Sequence, residues 1–331
     1  MPRVSIVVPC YNEQATIGLL LEAIYQQSYS RNDLEVIIAD GLSTDSTRTA
    51  IAAFQKEHPD LEVRVVDNHK RIIPAGLNLA IGAATGEYIV RLDAHSIPDR
   101  HYIVNCIDAL ENGKGENVGG VWEIMPQGIT WIAKSIAAAA SHPLGVGDAR
   151  YRLGGRAQLV DTVPFGAFHI ALIQKVGLFN EKLLTNEDYE FNARIRQSGG
   201  KVWLDPKIRS QYFARPTLRE LVRQYRRYGY WKAQMLRENP GTIRWRQLLP
   251  PALVVSIIFL MLGSLFHPSL RTWLFIELGL YALALLLVGV QLSMKERFLP
   301  YILGVPLAIG TMHLSWGSAF LWGLLGRHKM V

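Results

Sequence analysis

Cysteine is nearly absent: Cys10 and Cys106 are the only two in 331 residues. That is too few for a disulfide scaffold and suits a reducing compartment. The two do not form a C-x-x-C pair, so no cysteine zinc site is expected. No G-x-G-x-x-G follows the first apolar run, no G-x-x-x-x-G-K-[ST] occurs, and G-x-S-x-G and H-E-x-x-H are both missing. These gaps remove the dinucleotide fingerprint, the P-loop and the simplest hydrolase and zinc-protease signatures. With 49% hydrophobic and 19% charged residues, intrinsic disorder is excluded as well. No secretory leader pattern precedes Val4, so the N-terminal part is expected to fold in the cytosol. No repeat or low-complexity tract is visible.

Charge is scarce in one place above all. From Leu249 to Gly326 only Arg271, Glu277, Lys295, Glu296 and Arg297 carry it. A bilayer span takes about 20 mostly apolar residues, and three segments qualify: Leu249–Phe266, Trp273–Leu292 and Leu299–Leu325. The third is interrupted by Gly304, Pro306, Gly310 and Gly317, which predicts a kinked, tilted or partly re-entrant helix. Just before them, residues 207–246 hold eleven Lys/Arg and two acids, a local balance of +9 in a chain of net +7. A basic stretch beside a span reads as cytoplasmic and as a contact for anionic headgroups; nucleic acid is the competing partner. Three simple spans would place the tail Arg327-His328-Lys329 outside, against the same rule. The expected organisation is a soluble domain over 1–206, a basic amphipathic segment over 207–248 and about three membrane helices over 249–331.

The soluble part alternates. Apolar, β-branched runs at 4–8, 34–39, 62–66 and 87–92 are separated by helix-period stretches at Thr16–Tyr25, Thr47–His58 and around Pro74–Ala84. That pattern predicts βαβ units and a parallel sheet, whose ligands bind outside the carboxyl ends of the strands. The residues following each strand therefore matter most: Pro9-Cys10-Tyr11-Asn12-Glu13, then Asp40 through Thr47, then Asp93-Ala94-His95. Asp45 or Ser46 reads as a helix cap. Asp40 lies too early for one.

Asp93 and His95 share a face in extended chain and form either a polar turn or a divalent-cation site completed by phosphate oxygens. Asn186-Glu187-Asp188-Tyr189-Glu190 is either a helix start with acids favoured by the dipole or the place of a general base. Gln224 to Trp231 packs cations among aromatics, which suits phosphate and sugar rings or an interfacial helix. The glycine-punctuated loops around 142–147, 154–156 and 163–168 are expected to shape a cleft, and Thr130–Ala140 reads as a helix.

In this order, VSIVVPCYNE, IIADGLSTDST, ATGEYIVRLDAH, FGAF and NEDYEFNARIRQSGG make the chain resemble the family 2 glycosyltransferases of GT-A fold, over residues 3–235. The spellings ADGLSTD, DAH and QYRRYGYWK, with apolar helices after them, look closest to the bacterial succinoglycan-type exopolysaccharide enzymes. The resemblance implies a Rossmann-like α/β mixed sheet flanked by helices, followed by an all-α transmembrane region. It implies a cytoplasmic catalytic domain at the bacterial inner membrane, moving a sugar from a nucleotide donor (UDP-glucose or similar) to a polyprenyl-diphosphate-linked acceptor. Donor-binding positions would be Pro9, Tyr11, Glu13, Asp40, Lys70 and Asp93. Mg²⁺ or Mn²⁺ would sit at Asp93 and His95, the histidine standing where the family's D-x-D motif has its second acid. Asp188, beside Glu187, would be the base of an inverting reaction, and Gln224, Arg227, Tyr228 and Trp231 would meet the acceptor diphosphate. Tyr228 replaces the tryptophan of the processive synthases, which argues against a polymer-threading synthase. Transfer to a polyprenyl monophosphate remains the alternative. The resemblance predicts that Asp40, Asp93 and Asp188 converge within a few ångströms.

Overall fold

A computed structural model describes residues 3–326; the tail Arg327-His328-Lys329 lies outside them. In chain order the elements are β1 (Val4–Cys10), α1 (Ile17–Tyr25), β2 (Leu34–Asp40), α2 (Thr47–Glu57), β3 (Glu62–Asp67), α3 (Ile73–Ala83), β4 (Tyr88–Arg91), β5 (Ser96–Pro98), α4 (Tyr102–Glu111) and β6 (Asn117–Pro126). Next come α5 (Trp131–Ala140), the short turns α6 (Pro143–Val146) and α7 (Arg150–Leu153), β7 (Gln158–Leu159), β8 (Ala167–His169), α8 (Leu172–Val176), α9 (Glu187–Gln197) and β9 (Val202–Ala214). Four long helices close the chain: α10 (Leu218–Glu238), α11 (Trp245–Gly263), α12 (Pro268–Glu296) and α13 (Tyr301–Leu325).

The chain divides into two compact units, one running to Glu123 and resuming over Gly154–Tyr212, the other comprising Ile124–Leu153 and everything from Phe213 onward. The first unit is a nine-stranded mixed sheet in the order β3-β2-β1-β4-β8-β6-β9-β5, with β7 added to β9. Strands β1 to β4 are mutually parallel and β8 turns antiparallel to β4. All seven residues of β1 and of β2 are buried, because parallel strands covered on both faces need continuous apolar runs. Helix α1 covers them with Ile17, Leu20, Leu21 and Ile24, one stripe at helical spacing.

The second unit takes in residues 124–153 as well as those from 213 onward. Strand β6 is wholly buried over its first five residues and then alternates as far as Pro126. Thr130 caps α5, its Oγ1 accepting from Ala133 N at 3.2 Å. Ile136, Leu221, Val305, Ala308, Ile309 and Met312 form the core there.

Of the three expected spans, α11 and α12 are long and apolar enough to cross a membrane, and each has only 11% of its apolar window buried. Helix α13 forms where expected but is not of that kind. His313 and its glycines dilute its apolar character, and ten of its residues, from Gly304 to Gly323, are buried inside the unit.

Candidate functional site

The carboxyl ends of β1 and β2 are laced together by their loops. Asn12 N donates to Ser43 Oγ at 2.8 Å, Asn12 Oδ1 accepts from Thr44 N at 2.8 Å, and Glu13 N donates to Thr47 Oγ1 at 2.8 Å. Tyr11 lies over Gly41, where a Cβ would sit 3.1 Å from its ring, so a larger residue would have to push the ring aside. Asp45, rather than Ser46, satisfies the start of α2, accepting from Thr47 N at 3.0 Å. Asp40 is fully buried and accepts from Ser43 N at 3.1 Å, Ser43 Oγ at 2.5 Å and Arg48 Nε at 2.5 Å.

Two strands away, Arg91 organises the other half of the edge. Its side chain is 2% exposed, and burial disfavours its charge. The carboxylates of Asp93 and Glu187 outweigh that penalty and hold the guanidinium more firmly cationic than usual. One Nη2 donates to Asp93 Oδ1 at 3.1 Å and to Glu187 Oε1 at 2.8 Å, while Nη1 donates to Asp188 Oδ1. One cation therefore gathers three carboxylates, two from the start of α9 and one from the end of β4. The planar fork of arginine suits such multiple carboxylate recognition.

The backbone around this point is unusual. Asn186 enters α9 at φ 68° and Phe165 turns at φ 63°, conformations uncommon for residues other than glycine. The Phe165 turn lets Gly166 O accept from Arg91 N at 3.0 Å. Lys70 lies further along the edge and pairs with Glu181. Pro9 is buried in β1. Asp93 and Asp188 thus converge as expected and Asp40 does not. It belongs to the same edge, about 10 Å away across two strand spacings, in its own bonding cluster.

His95 Nδ1 lies 3.1 Å from Glu13 Oε1. A carboxylate only accepts, so Nδ1 carries the hydrogen in this contact. Burial opposes a charge on Glu13, yet this bond from His95 and one from Thr16 hold its carboxyl below the usual range. Among the described residues no group of three His, Cys, Asp or Glu side chains is placed to hold a metal ion by itself. The donor set still fits a divalent cation: one carboxylate, and one imidazole backed by an outer carboxylate, with other ligands left to a bound diphosphate.

In the helical unit, α10 carries the expected acceptor residues. Gln224 Nε2 donates to Tyr228 Oη at 3.0 Å, and Arg215, Arg219, Arg223, Arg226 and Arg227 are all exposed. Trp231 departs from expectation: it is buried, edge-on to Tyr230, and offers no open ring face.

A sequence profile of the family described as Glycosyl transferase family 2 matches residues 5–178. The succinoglycan biosynthesis protein ExoA of Rhizobium meliloti is 31% identical, over 98% of this chain and 96% of its own. The chain is a family 2 glycosyltransferase. A Methanococcus voltae relative, dolichyl N-acetyl-alpha-D-glucosaminyl phosphate 3-beta-D-2,3-diacetamido-2,3-dideoxy-beta-D-glucuronosyltransferase, is 27% identical over 98% of both chains. Among solved structures, the mannosyltransferase PcManGT from Pyrobaculum calidifontis, in complex with GDP-Man and Mn²⁺, superposes with a TM-score of 0.65 at 22% identity, covering 97% of this chain and 87% of that one. That likeness shows the fold.

The motif-based reading of this glycosyltransferase missed two residues of the edge, Arg48 and Arg91. Arg91 left a signal. It interrupts the apolar strand Tyr88–Leu92 and stands two residues before Asp93, hence on the same face. A charge inside an apolar strand demands buried partners. Arg48 left none, being one more polar residue on a half-exposed helix.

Proposed function

We propose that this glycosyltransferase moves a sugar from a nucleotide sugar to a polyprenyl-diphosphate-linked sugar, with inversion, and that Asp188 is the general base. The observation that carries the reading is the meeting of Asp93, Glu187 and Asp188 on the single buried guanidinium of Arg91. Asp93 and His95 would hold Mg²⁺ or Mn²⁺, which when bound supplies positive charge to the departing diphosphate. The imidazole tilts the preference toward Mn²⁺, and the name of the GDP-Man and Mn²⁺ complex of the Pyrobaculum calidifontis enzyme is in keeping with that.

The acceptor hydroxyl attacks the anomeric carbon as the bond to the nucleotide diphosphate breaks, and the diphosphate leaves with the bonding pair. Asp188 takes the hydroxyl proton. Arg91 touches neither sugar in this scheme. It is a positioning residue that sets one positive charge against three carboxylates and fixes Asp188 Oδ1, so that Oδ2 presents to the acceptor. Such a base contributes about 10²–10⁴ in rate.

The donor nucleoside lies with the Tyr11, Glu13 and Asp40 loops in this reading, and the exposed arginines of α10 meet the lipid diphosphate, each worth about 1 kcal/mol near an anionic surface. The name of the Methanococcus voltae relative, with its sugar on a dolichyl phosphate, supports a lipid-linked sugar as acceptor, carried in that case on one phosphate. In this reading the catalytic unit lies on the cytoplasmic face of a cell membrane, which the basic residues ahead of the apolar helices support.

Asp188→Asn should keep nucleotide-sugar affinity in an equilibrium titration and lose at least about two orders of magnitude in transfer. A variant with near-normal turnover removes Asp188 from the base role and favours the alternative acceptor, a polyprenyl monophosphate, which carries no hydroxyl proton to remove.

A further inference from the structure

We infer that Asn78 of α3 is a positioning residue for sugar transfer, clamping the loop that delivers Asp188 to the strand edge. Its role rests on the reading of Asp188 as the base.

Asn78 is the one polar side chain of α3, whose sequence is IPAGLNLAIGA. Asparagine is a poor helix former because its amide competes for backbone bonds, so its place in an otherwise apolar helix calls for a partner. That partner is the loop between α8 and α9. Asn78 Nδ2 donates to Phe179 O at 2.9 Å, and Oδ1 accepts from Phe179 N at 2.9 Å. One side chain thus matches both backbone groups of one residue, the exchange that a paired antiparallel strand would make. Nδ2 also donates to Glu181 Oε1 at 3.1 Å, and Lys70 bonds the other oxygen of that carboxylate. The lysine is 66% exposed, and exposed ion pairs contribute little. The half-buried amide is the firmer hold.

The clamped residue touches both parts of the catalytic pair. Phe179 is 4% exposed. Its ring stacks on Phe191, three residues beyond Asp188 in α9, with centres 4.5 Å apart. On Arg91 the guanidinium carbon lies 5.9 Å from the Phe179 ring centre. In a close-packed interior a shift of Phe179 moves these neighbours or opens a void beside them.

Helix α9 holds the same loop by a second route. Arg194 donates to both carboxylate oxygens of Glu190, at 2.7 and 2.9 Å, and to Gly177 O at 3.3 Å and Leu178 O at 2.8 Å. Those bonds join α9 to the chain that leads into it, so they travel with α9 and do not locate it. Asn78 joins the loop to a different element. Pro74, Ala75, Gly76, Leu77, Ala80 and Ile81 of α3 are buried, and a Cβ on Gly76 would lie 3.4 Å from Ala39 of β2 and 3.5 Å from Pro9 of β1. Asn78 thereby sets the base against the two strands whose loops form the nucleoside side of the edge.

The test is single-turnover transfer by the full chain, with UDP-glucose and a polyprenyl-diphosphate-linked sugar as substrates. Asn78→Ala is measured alone and in the Asp188→Asn background, beside an equilibrium titration with UDP-glucose. Misplacing a reacting group by about 1 Å costs up to about 10²-fold, so Asn78→Ala should slow transfer at least about tenfold and keep donor affinity. Residues that act as a unit are non-additive, so the same substitution should change the residual rate of Asp188→Asn by less than about twofold. An equal loss in both backgrounds is what a merely structural residue gives, and it overturns the inference. So does an unchanged rate in Asn78→Ala, or a loss confined to donor affinity. If the unfolding midpoint shows that Asn78→Ala does not fold, Asn78→Asp takes its place under the same criteria. It is of equal size and keeps the acceptor for Phe179 N, but has no N–H for Phe179 O or Glu181. Near-normal turnover in Asp188→Asn defeats the base reading and the clamp with it, whereas the other contrary results defeat the clamp alone.

Discussion

The two ends of the parallel strands both bury carboxylates, and they do so in opposite ways. At the amino end Glu35 of β2 is fully buried and saturated. Its Oε1 accepts from Ser5 Oγ at 2.6 Å, Thr85 N at 2.7 Å and Thr85 Oγ1 at 2.8 Å, and its Oε2 takes Arg64. One carboxylate has four donors. At the carboxyl end Arg91 serves Asp93, Glu187 and Asp188, so one cation has three carboxylates. A saturated charge can only hold structure, whereas an excess of acceptors keeps capacity for a cation, a donor or a proton. The excess stands where parallel sheets bind their ligands.

The largest effect that could break this contrast is removal of the arginine. Arg91→Gln leaves three carboxylates clustered around no charge and should destabilise the fold by about 3–5 kcal/mol, read as a drop in unfolding midpoint. Arg91→Lys keeps the charge and loses the fork. It should stay folded and lose at least about tenfold in kcat, with donor KM changing less, because arginine and lysine are not equivalent at multidentate sites. A kcat unchanged in Arg91→Lys would make the cluster structural, like that of Glu35.

Glu35→Gln sharpens the contrast from the other end. It should cost about 2 kcal/mol of stability and leave the kcat of the folded fraction intact. Burial raises the Glu35 carboxyl, but the bonds from Ser5, Thr85 and Arg64 outweigh it and hold it below its ordinary 4.5. A depressed folded value means that the contribution is present above 4.5 and is lost as pH falls through the lower, folded value. Denaturation of wild type and variant should therefore differ fully at neutral pH and converge only in acid.

The smallest expected effect is at Glu13→Gln, which removes the carboxylate behind His95. Apparent Mn²⁺ affinity, titrated by activity, should fall about tenfold with the maximal rate nearly restored at high metal. An unchanged metal titration would detach His95 from the cation site.

Most of the sheet was legible because its strands are continuous apolar runs and its helices carry one stripe at helical spacing; β1 to β4 and α1 to α3 lie where the alternation predicts. Asp93 and Asp188 were legible through motifs at strand and helix ends. Arg91 was not legible in the same way, because it lies inside the strand and not among the residues that follow it. Asp40 was expected beside the other aspartates, but adjacency in a motif order says nothing about which side chain Arg48 and Ser43 will capture. Helix α13 is less apolar than α11 and α12, and its Val305, Ala308, Ile309 and Met312 are buried against neighbouring helices, which composition alone does not tell.

The central claim is that Arg91 acts through Asp188 as one catalytic unit, and single-turnover transfer by wild type, Arg91→Lys, Asp188→Asn and the double variant tests it most directly. Residues that act as a unit are strongly non-additive, so the double variant should be no slower than Asp188→Asn alone. Losses that multiply in the double variant would contradict the account.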